Sequence, residues 1–157
     1  MSVKQSLKIV YTTIERIIRL VFYLVANGAI NALEKALQDD GGLYMSPTVL
    51  INASKTSIVM REELFGPVVG VVPVSDDQEA IDLINDTKYG LTASIWTFDR
   101  KRAVEIGAKL EVGTVFLNKC DQVEPSLAWI GVKSSGLGFS LSKLCFDHVT
   151  RPKSYNL

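Results

Sequence analysis

From Val10 to Val25 the apolar residues Val10, Ile14, Ile17, Ile18, Val21, Leu24 and Val25 recur at spacings of three and four. That period is one face of a helix. Thr13, Glu15, Arg16 and Arg19 give this helix a polar face over its first half only, and "LVFYLV" after them is apolar on every side. Such a surface has to be buried, covered by a partner or placed against lipid. "AINALEKALQDD" reads as a second short helix closed by Gly41 and Gly42. Beyond Gly41 the pattern changes to strands alternating with helices. "PTVLINA" and "PVVGVVPV" are β-branched runs, with Pro73 marking a strand end or edge. Ser75 and Gln78 form an S-x-x-Q capping box, and Asp76 and Asp77 suit the positive end of the helix dipole. Ala80, Ile81 and Ile84 make that helix's inner face. "LTASIWTF" is the next strand, Asp99 caps a helix that buries Ala103, Ile106 and Leu110, and "GTVFLN" closes the series. Strand and helix alternating with short joints predict an α/β fold with a mainly parallel sheet.

Composition narrows the function classes. A chain of 157 residues, 47% apolar and 22% charged, is long enough for a substantial core and is not compositionally disordered. Its 17 basic and 17 acidic residues cancel, and no Lys/Arg block is long enough to track phosphates, so nucleic acid is not expected as a partner. Two cysteines, Cys120 and Cys145, fit neither a metal-ligand spacing nor a disulfide scaffold, which points to a reducing, cytoplasmic setting. The uncharged run from Leu20 to Leu33 has 14 residues and includes Asn27, Gly28 and Asn31. A membrane span needs about 20 apolar residues, so none is expected, and Glu15, Arg16 and Arg19 argue against a cleaved signal.

The motifs carry more. "GLYMSPTVL", "REELFGPVVGVVPV", "AIDLINDTKYGLTASIWTFDRKRAVEIGAKLEVGTVFLN" and "GVKSSGLG" follow one another with near-complete spacing. In this order they resemble the C-terminal, catalytic-domain part of the aldehyde dehydrogenase superfamily, from Gly41 to Leu157. The resemblance implies a three-layer, mainly parallel sheet, here truncated and preceded by N-terminal helices: residues 1–40 as a helical segment, and 41–157 as the catalytic-domain portion with a terminal oligomerisation strand in "HVTRPKSYNL". It also implies a chemistry. In that family a cysteine thiolate attacks an aldehyde, hydride passes to NAD or NADP, and water releases the acid. Glu63, the second glutamate of the E-E-x-F-G-P motif, matches the residue that binds the nicotinamide ribose hydroxyls. A carboxylate suits that role because its two oxygens accept from vicinal hydroxyls. Phe65 matches the aromatic beside the nicotinamide ring, where it restricts the cofactor's poses. Asn118 matches an asparagine near the substrate pocket, though an ordinary strand-end cap explains it equally well.

Other positions read as structure. Glu62 is a solvated or capping acid, and Gly66-Pro67 is a turn. Asn85 and "KYGL" fit turn chemistry as well as a loop near the active site. Gly131, Lys133, Ser135, Gly136 and Gly138 match the family's G-G-x-K-x-S-G-x-G loop, whose glycines permit close packing. Ile130 and Phe139 depart from that loop's first glycine and from its following arginine, so altered packing is expected. Cys145 and His148, three apart, form a dyad or half a metal site only if a third group orients them.

The family's nucleophilic cysteine, general-base glutamate and oxyanion asparagine precede the E-E-x-F-G-P motif, as does the dinucleotide-binding domain. Residues 1–40 hold no cysteine and no Gly-rich strand-to-helix turn. No catalytic residue is therefore assigned within the chain, and it is expected to be inactive alone. Three readings stay open: part of a longer aldehyde-oxidising enzyme, a non-catalytic short relative that self-associates or pairs with full-length members, and a minimal dinucleotide-binding module.

Overall fold

The computed structural model describes residues 16–33, 44–120 and 122–157. The chain forms two compact units, Met1–Pro73 and Val74–Leu157. The predicted boundary between residues 40 and 41 lies outside the described residues, as do residues 10–15 of the first predicted helix and 34–40 of the second.

In the first unit, helix α1 (residues 16–26) buries Ile17, Val21 and Leu24, the i, i+4, i+7 stripe expected from the sequence. Phe22, Tyr23 and Val25 on its other sides remain exposed. The helix stops in a Schellman motif. Gly28 takes φ 98°, its N–H donates to the Val25 carbonyl at 3.1 Å, and the Ala29 N–H donates to the Leu24 carbonyl at 3.0 Å. That stop overturns the start of the helix expected from Ala29. Ile30–Asn31 is instead a strand, β1, antiparallel to β2 (Thr48–Ile51), with Ile30 opposite Ile51 and Asn31 opposite Leu50. The left-handed glycine turns the chain out of the helix axis, and the β2 edge then satisfies backbone groups that a new helix would leave unpaired. A four-residue helix α2 (Ile58–Arg61) leads to β3 (Val68–Val71), parallel to β2 from Thr48–Val68 to Ile51–Val71. Ile17, Val21, Leu24, Ala29, Leu50 and Leu64 are the core, with Leu20, Met45, Ala53, Val59 and Val68 around it.

The second unit opens with α3 (Asp77–Asn85). Its cap sits one residue later than the S-x-x-Q reading. Asp76 accepts from the Glu79 N–H at 2.8 Å, and the Glu79 carboxylate takes both the Ser75 N–H at 2.7 Å and its hydroxyl at 2.8 Å. An ionised carboxylate accepts more strongly than a hydroxyl and also meets the helix dipole, so Asp76 outcompetes Ser75. Gln78 donates instead to Asp82 one turn on, at 2.8 Å. Ile81 is buried, whereas Ile84 stays exposed. Strand β4 (Thr92–Ile95), helix α4 (Arg100–Gly107) and strand β5 (Thr114–Leu117) follow, with β4 and β5 parallel and in register from Thr92–Thr114 to Ile95–Leu117. Asp99 caps α4 as expected, accepting from Arg102 N–H at 2.9 Å. The Arg102 guanidinium binds Asp77 with two nitrogens, at 2.7 and 2.5 Å. This hydrogen bonding holds the Asp77 carboxyl below the usual carboxylate range.

A short antiparallel pair, β6 (Trp129–Ile130) and β7 (Phe139–Ser140), encloses the glycine-rich loop. That loop is latched to the end of α3. Lys133 Nζ donates to the Asn85 carbonyl at 2.8 Å and pairs with Glu111 at 2.8 Å. The Asn85 side chain donates to Lys109 O and accepts from Glu111 N–H, both at 2.9 Å. Ser135 Oγ accepts from Gly90 N–H at 2.9 Å. The described strands thus form one mixed three-stranded sheet in the first unit and, in the second, one parallel and one antiparallel pair. No helix among the described residues is long and apolar enough to cross a membrane.

Candidate functional site

Glu63, Leu64 and Phe65 have no regular secondary structure and join α2 to β3. Leu64 is buried in the core while Glu63 and Phe65 on either side are exposed, so one anchored residue presents two outward side chains. Both line an open groove of about 410 Å3, together with Val59, Met60, Glu62 and Gly66. Phe65 is 80% exposed, and its backbone lies in the left-handed region at φ 50°. A phenylalanine there costs about 1–2 kcal/mol relative to an ordinary conformation, so its neighbours must hold it. The turn after it is closed from two sides: Val68 N–H donates to the Gly66 carbonyl and Thr48 N–H to the Pro67 carbonyl, each at 2.8 Å. Thr48 is itself buried, and its hydroxyl donates to Ser46 O at 3.0 Å.

The groove offers a carboxylate, an accessible aromatic face and a glycine without a side chain. Those features fit the ribose and flat ring of a nicotinamide. A cradle for the nucleotide's phosphates is a different requirement, a Gly-rich turn at the start of a longer helix, and α2 has four residues.

Asn118 belongs to the second unit. It also sits at positive φ, 54°, and its side chain grips one residue: its Oδ1 accepts from Thr97 N–H and its Nδ2 donates to Thr97 O, both at 2.9 Å. The amide thereby ties the end of β5 to the end of β4. Asparagine tolerates the left-handed region better than most residues because its short side chain bonds locally. Replacing Asn118 with alanine is expected to lose both the hydrogen bonds and that tolerance, and with glycine only the bonds. Urea denaturation should therefore show the alanine variant about 1 kcal/mol less stable than the glycine variant.

The other candidates serve packing. A Cβ on Gly131 would come within 2.8 Å of the Ser135 carbonyl carbon, in keeping with the close approach expected of this loop. Gly138 has φ 74° and lies against the His148 ring, which meets Phe139 edge-on at 4.2 Å between centroids. Phe139, where the loop departs from its usual arginine, thus gains a partner in His148. Cys145 is half-buried and Cys120 exposed. Among the described residues no three His, Cys, Asp or Glu side chains gather in a form suited to a metal.

Three contributors escape a motif reading: Leu64 beneath the Glu63 and Phe65 side chains, Ile17 of α1, and Gly113, which faces Ile130. Leu64 occupies the variable position of E-E-x-F-G-P, so its only signal is being apolar between two outward residues.

Comparison with known proteins covers most of the chain. The Aldehyde dehydrogenase family profile matches residues 5–155, including residues 5–40, which the motif resemblance from Gly41 leaves out. The chain is similar to an acetaldehyde dehydrogenase of Pseudomonas aeruginosa, 39% identical over 132 residues, covering 83% of this chain and 25% of the relative. It is also similar to a mouse 2-aminomuconic semialdehyde dehydrogenase, 34% identical over 134 residues, covering 85% and 28%. Among solved structures, the NADP complex of the NADP-dependent glyceraldehyde-3-phosphate dehydrogenase of Bacillus halodurans C-125 superposes with a TM-score of 0.74 at 40% identity, covering 82% of this chain and 26% of that one. The lactaldehyde dehydrogenase of Escherichia coli gives 0.77 at 31% identity, covering 87% and 29%. The chain thus spans roughly a quarter of the length of the curated relatives it matches, 25% and 28% for the two named.

Proposed function

Because this chain belongs to the aldehyde dehydrogenase family, we propose that it carries the nicotinamide-ribose end of the cofactor site of an NAD(P)-dependent enzyme that oxidises an aldehyde to a carboxylic acid. The observation that carries the reading is the shared groove of Glu63 and Phe65, with Leu64 buried between them. Glu63 accepts from the ribose hydroxyls, and Phe65 bounds the nicotinamide ring on one side. When bound, NAD or NADP supplies the hydride acceptor. Asn118 borders the aldehyde pocket in this reading, its amide also fixing the β4 and β5 ends. The strands belong to a mainly parallel three-layer sheet, with residues 41–157 as the C-terminal part of the catalytic domain and residues 1–40 leading into it.

The cysteine nucleophile, the general base and the phosphate-binding turn are not supplied by these 157 residues. The chain alone is accordingly a partial site, inactive in aldehyde oxidation. Mixing the purified chain with NAD or NADP and a panel of aldehydes should leave the reduced-nicotinamide absorbance flat. Nicotinamide mononucleotide should bind weakly, and Glu63→Gln should reduce that binding about tenfold, the effect of losing a charge-assisted pair of hydrogen bonds. Equal binding by Glu63→Gln would remove Glu63 from the site, and reduced nicotinamide formed by the wild-type chain would refute the partial-site reading.

A second reading is favoured by the C-terminal residues. Residues 151–157 are exposed and outside any helix or sheet, with Tyr155 at 72% exposure. Backbone in that state is available to pair with another chain, which suits a non-catalytic relative that associates with itself or with full-length members.

A further inference from the structure

Phe65 lies between two residues that are both near Ile17. Leu64 shares its core cluster with Ile17, a residue of α1 that is 1% exposed. On the other side, an ideal Cβ built on Gly66 would stand 2.6 Å from Ile17 Cδ1, whereas Ile17 Cγ2 and Cγ1 would be 3.8 and 3.9 Å away. A single methyl therefore fills the space beneath Gly66. The far side of the turn is open, since Phe65, Gly66 and Pro67 are all exposed. The left-handed backbone at Phe65 is strained for a residue with a side chain, and it persists only where flanking contacts hold it.

We propose that Ile17 is a positioning residue for the cofactor turn: its Cδ1 methyl, seated under Gly66, sets the backbone that holds Phe65 in its left-handed conformation. Helix α1, which the motifs leave out, is then part of the cofactor site's support. The proposal rests on the cofactor reading of Glu63 and Phe65 for its functional meaning, while its geometry is independent of that reading. It also explains why glycine stands at residue 66. Glycine there leaves room for the α1 methyl, and a Cβ would oblige either the Ile17 Cδ1 methyl or the turn to move.

The test is a second-site rescue in the 157-residue chain. Gly66→Ala is expected to lower the unfolding midpoint by roughly 5 °C. It should also abolish the strong intraresidue amide-to-Hα NOE that marks positive φ at Phe65. Ile17→Val removes only the Cδ1 methyl. Alone it should lower the midpoint slightly, but in the Gly66→Ala background it should raise the midpoint and restore the Phe65 signature. A mere core-filling role predicts a loss in both backgrounds and no change at Phe65. If Gly66→Ala prevents folding, recovery of a folded double variant supports the proposal and continued unfolding overturns it. Retention of the Phe65 signature in Gly66→Ala also overturns it. Titration with nicotinamide mononucleotide separates the two ideas. Rescue of the Phe65 signature without any wild-type shift of the Glu63 and Phe65 amides sinks the cofactor reading and leaves the positioning role intact.

Discussion

Alanine at Gly113 is expected to cost the chain about 3 kcal/mol or more, enough to leave a large unfolded population at moderate urea. A Cβ there would fall inside the van der Waals envelope of the Ile130 carbonyl oxygen and within 2.5 Å of its carbon. Rotating a side chain cannot relieve a collision between a Cβ and a backbone carbonyl. The backbones themselves would have to separate, and they are tied together: Gly113 N–H and Val132 N–H both donate to the Gly90 carbonyl, at 3.1 and 3.0 Å. Opening that junction would release the start of β5 and the strand β6 at once. Gly28→Ala is the informative comparison. Among the described residues nothing lies within 4 Å of a Cβ at Gly28, so its left-handed φ of 98° is what is penalised, by about 1–2 kcal/mol. Urea titrations of the two variants should show the Gly113 midpoint falling distinctly further. Equal losses would show that close approach at Ile130 does not constrain the fold.

Truncating Leu64 to alanine should have the other large effect. Leu64 is buried among Ile17, Val21, Leu24, Ala29 and Leu50, and its removal leaves a cavity under the groove. Leucine-to-alanine changes in such cores cost about 2–5 kcal/mol, with the spread set by how far the site collapses. The functional consequence is specific to this position. Leu64 is the inward residue between Glu63 and Phe65, so the two outward side chains lose their common anchor. Leu64→Met, which conserves volume, should keep most of the stability, within about 1.5 kcal/mol of wild type. Denaturation curves and nicotinamide mononucleotide titrations on both variants should move together. A Leu64→Ala chain that lost stability but kept wild-type binding would show that the groove does not depend on its anchor.

Much of the architecture was legible without coordinates because it depends on neighbours close in sequence. The α1 stripe, the Asp99 cap, and the strands β2, β4 and β5 follow from side-chain period and local hydrogen bonding. The same locality explains the near miss at α3, where Ser75 and Asp76 compete for one cap and the stronger acceptor prevails. It also explains the error after Gly28. Apolar spacing in "AINALEKAL" is compatible with a helix, and only the presence of the β2 edge makes Ile30 and Asn31 a strand. Of the candidate site, the motif nominates Glu63 and Phe65, and the fold places both along one groove.

What the sequence determined by itself is the family and the helix and strand pattern of the better-punctuated segments. The tertiary structure decided which glycines are indispensable and what stands behind the motif. The sequence puts Gly113 at the start of a strand and Gly66 in a turn and gives Leu64 no role, whereas the Ile130 carbonyl against Gly113, the Ile17 methyl near Gly66 and the core around Leu64 exist only in the fold. Each of these depends on atoms brought together from distant parts of the chain. Periodicity and capping report a residue's local geometry, whereas close packing is a property of two surfaces that meet only after the chain has folded.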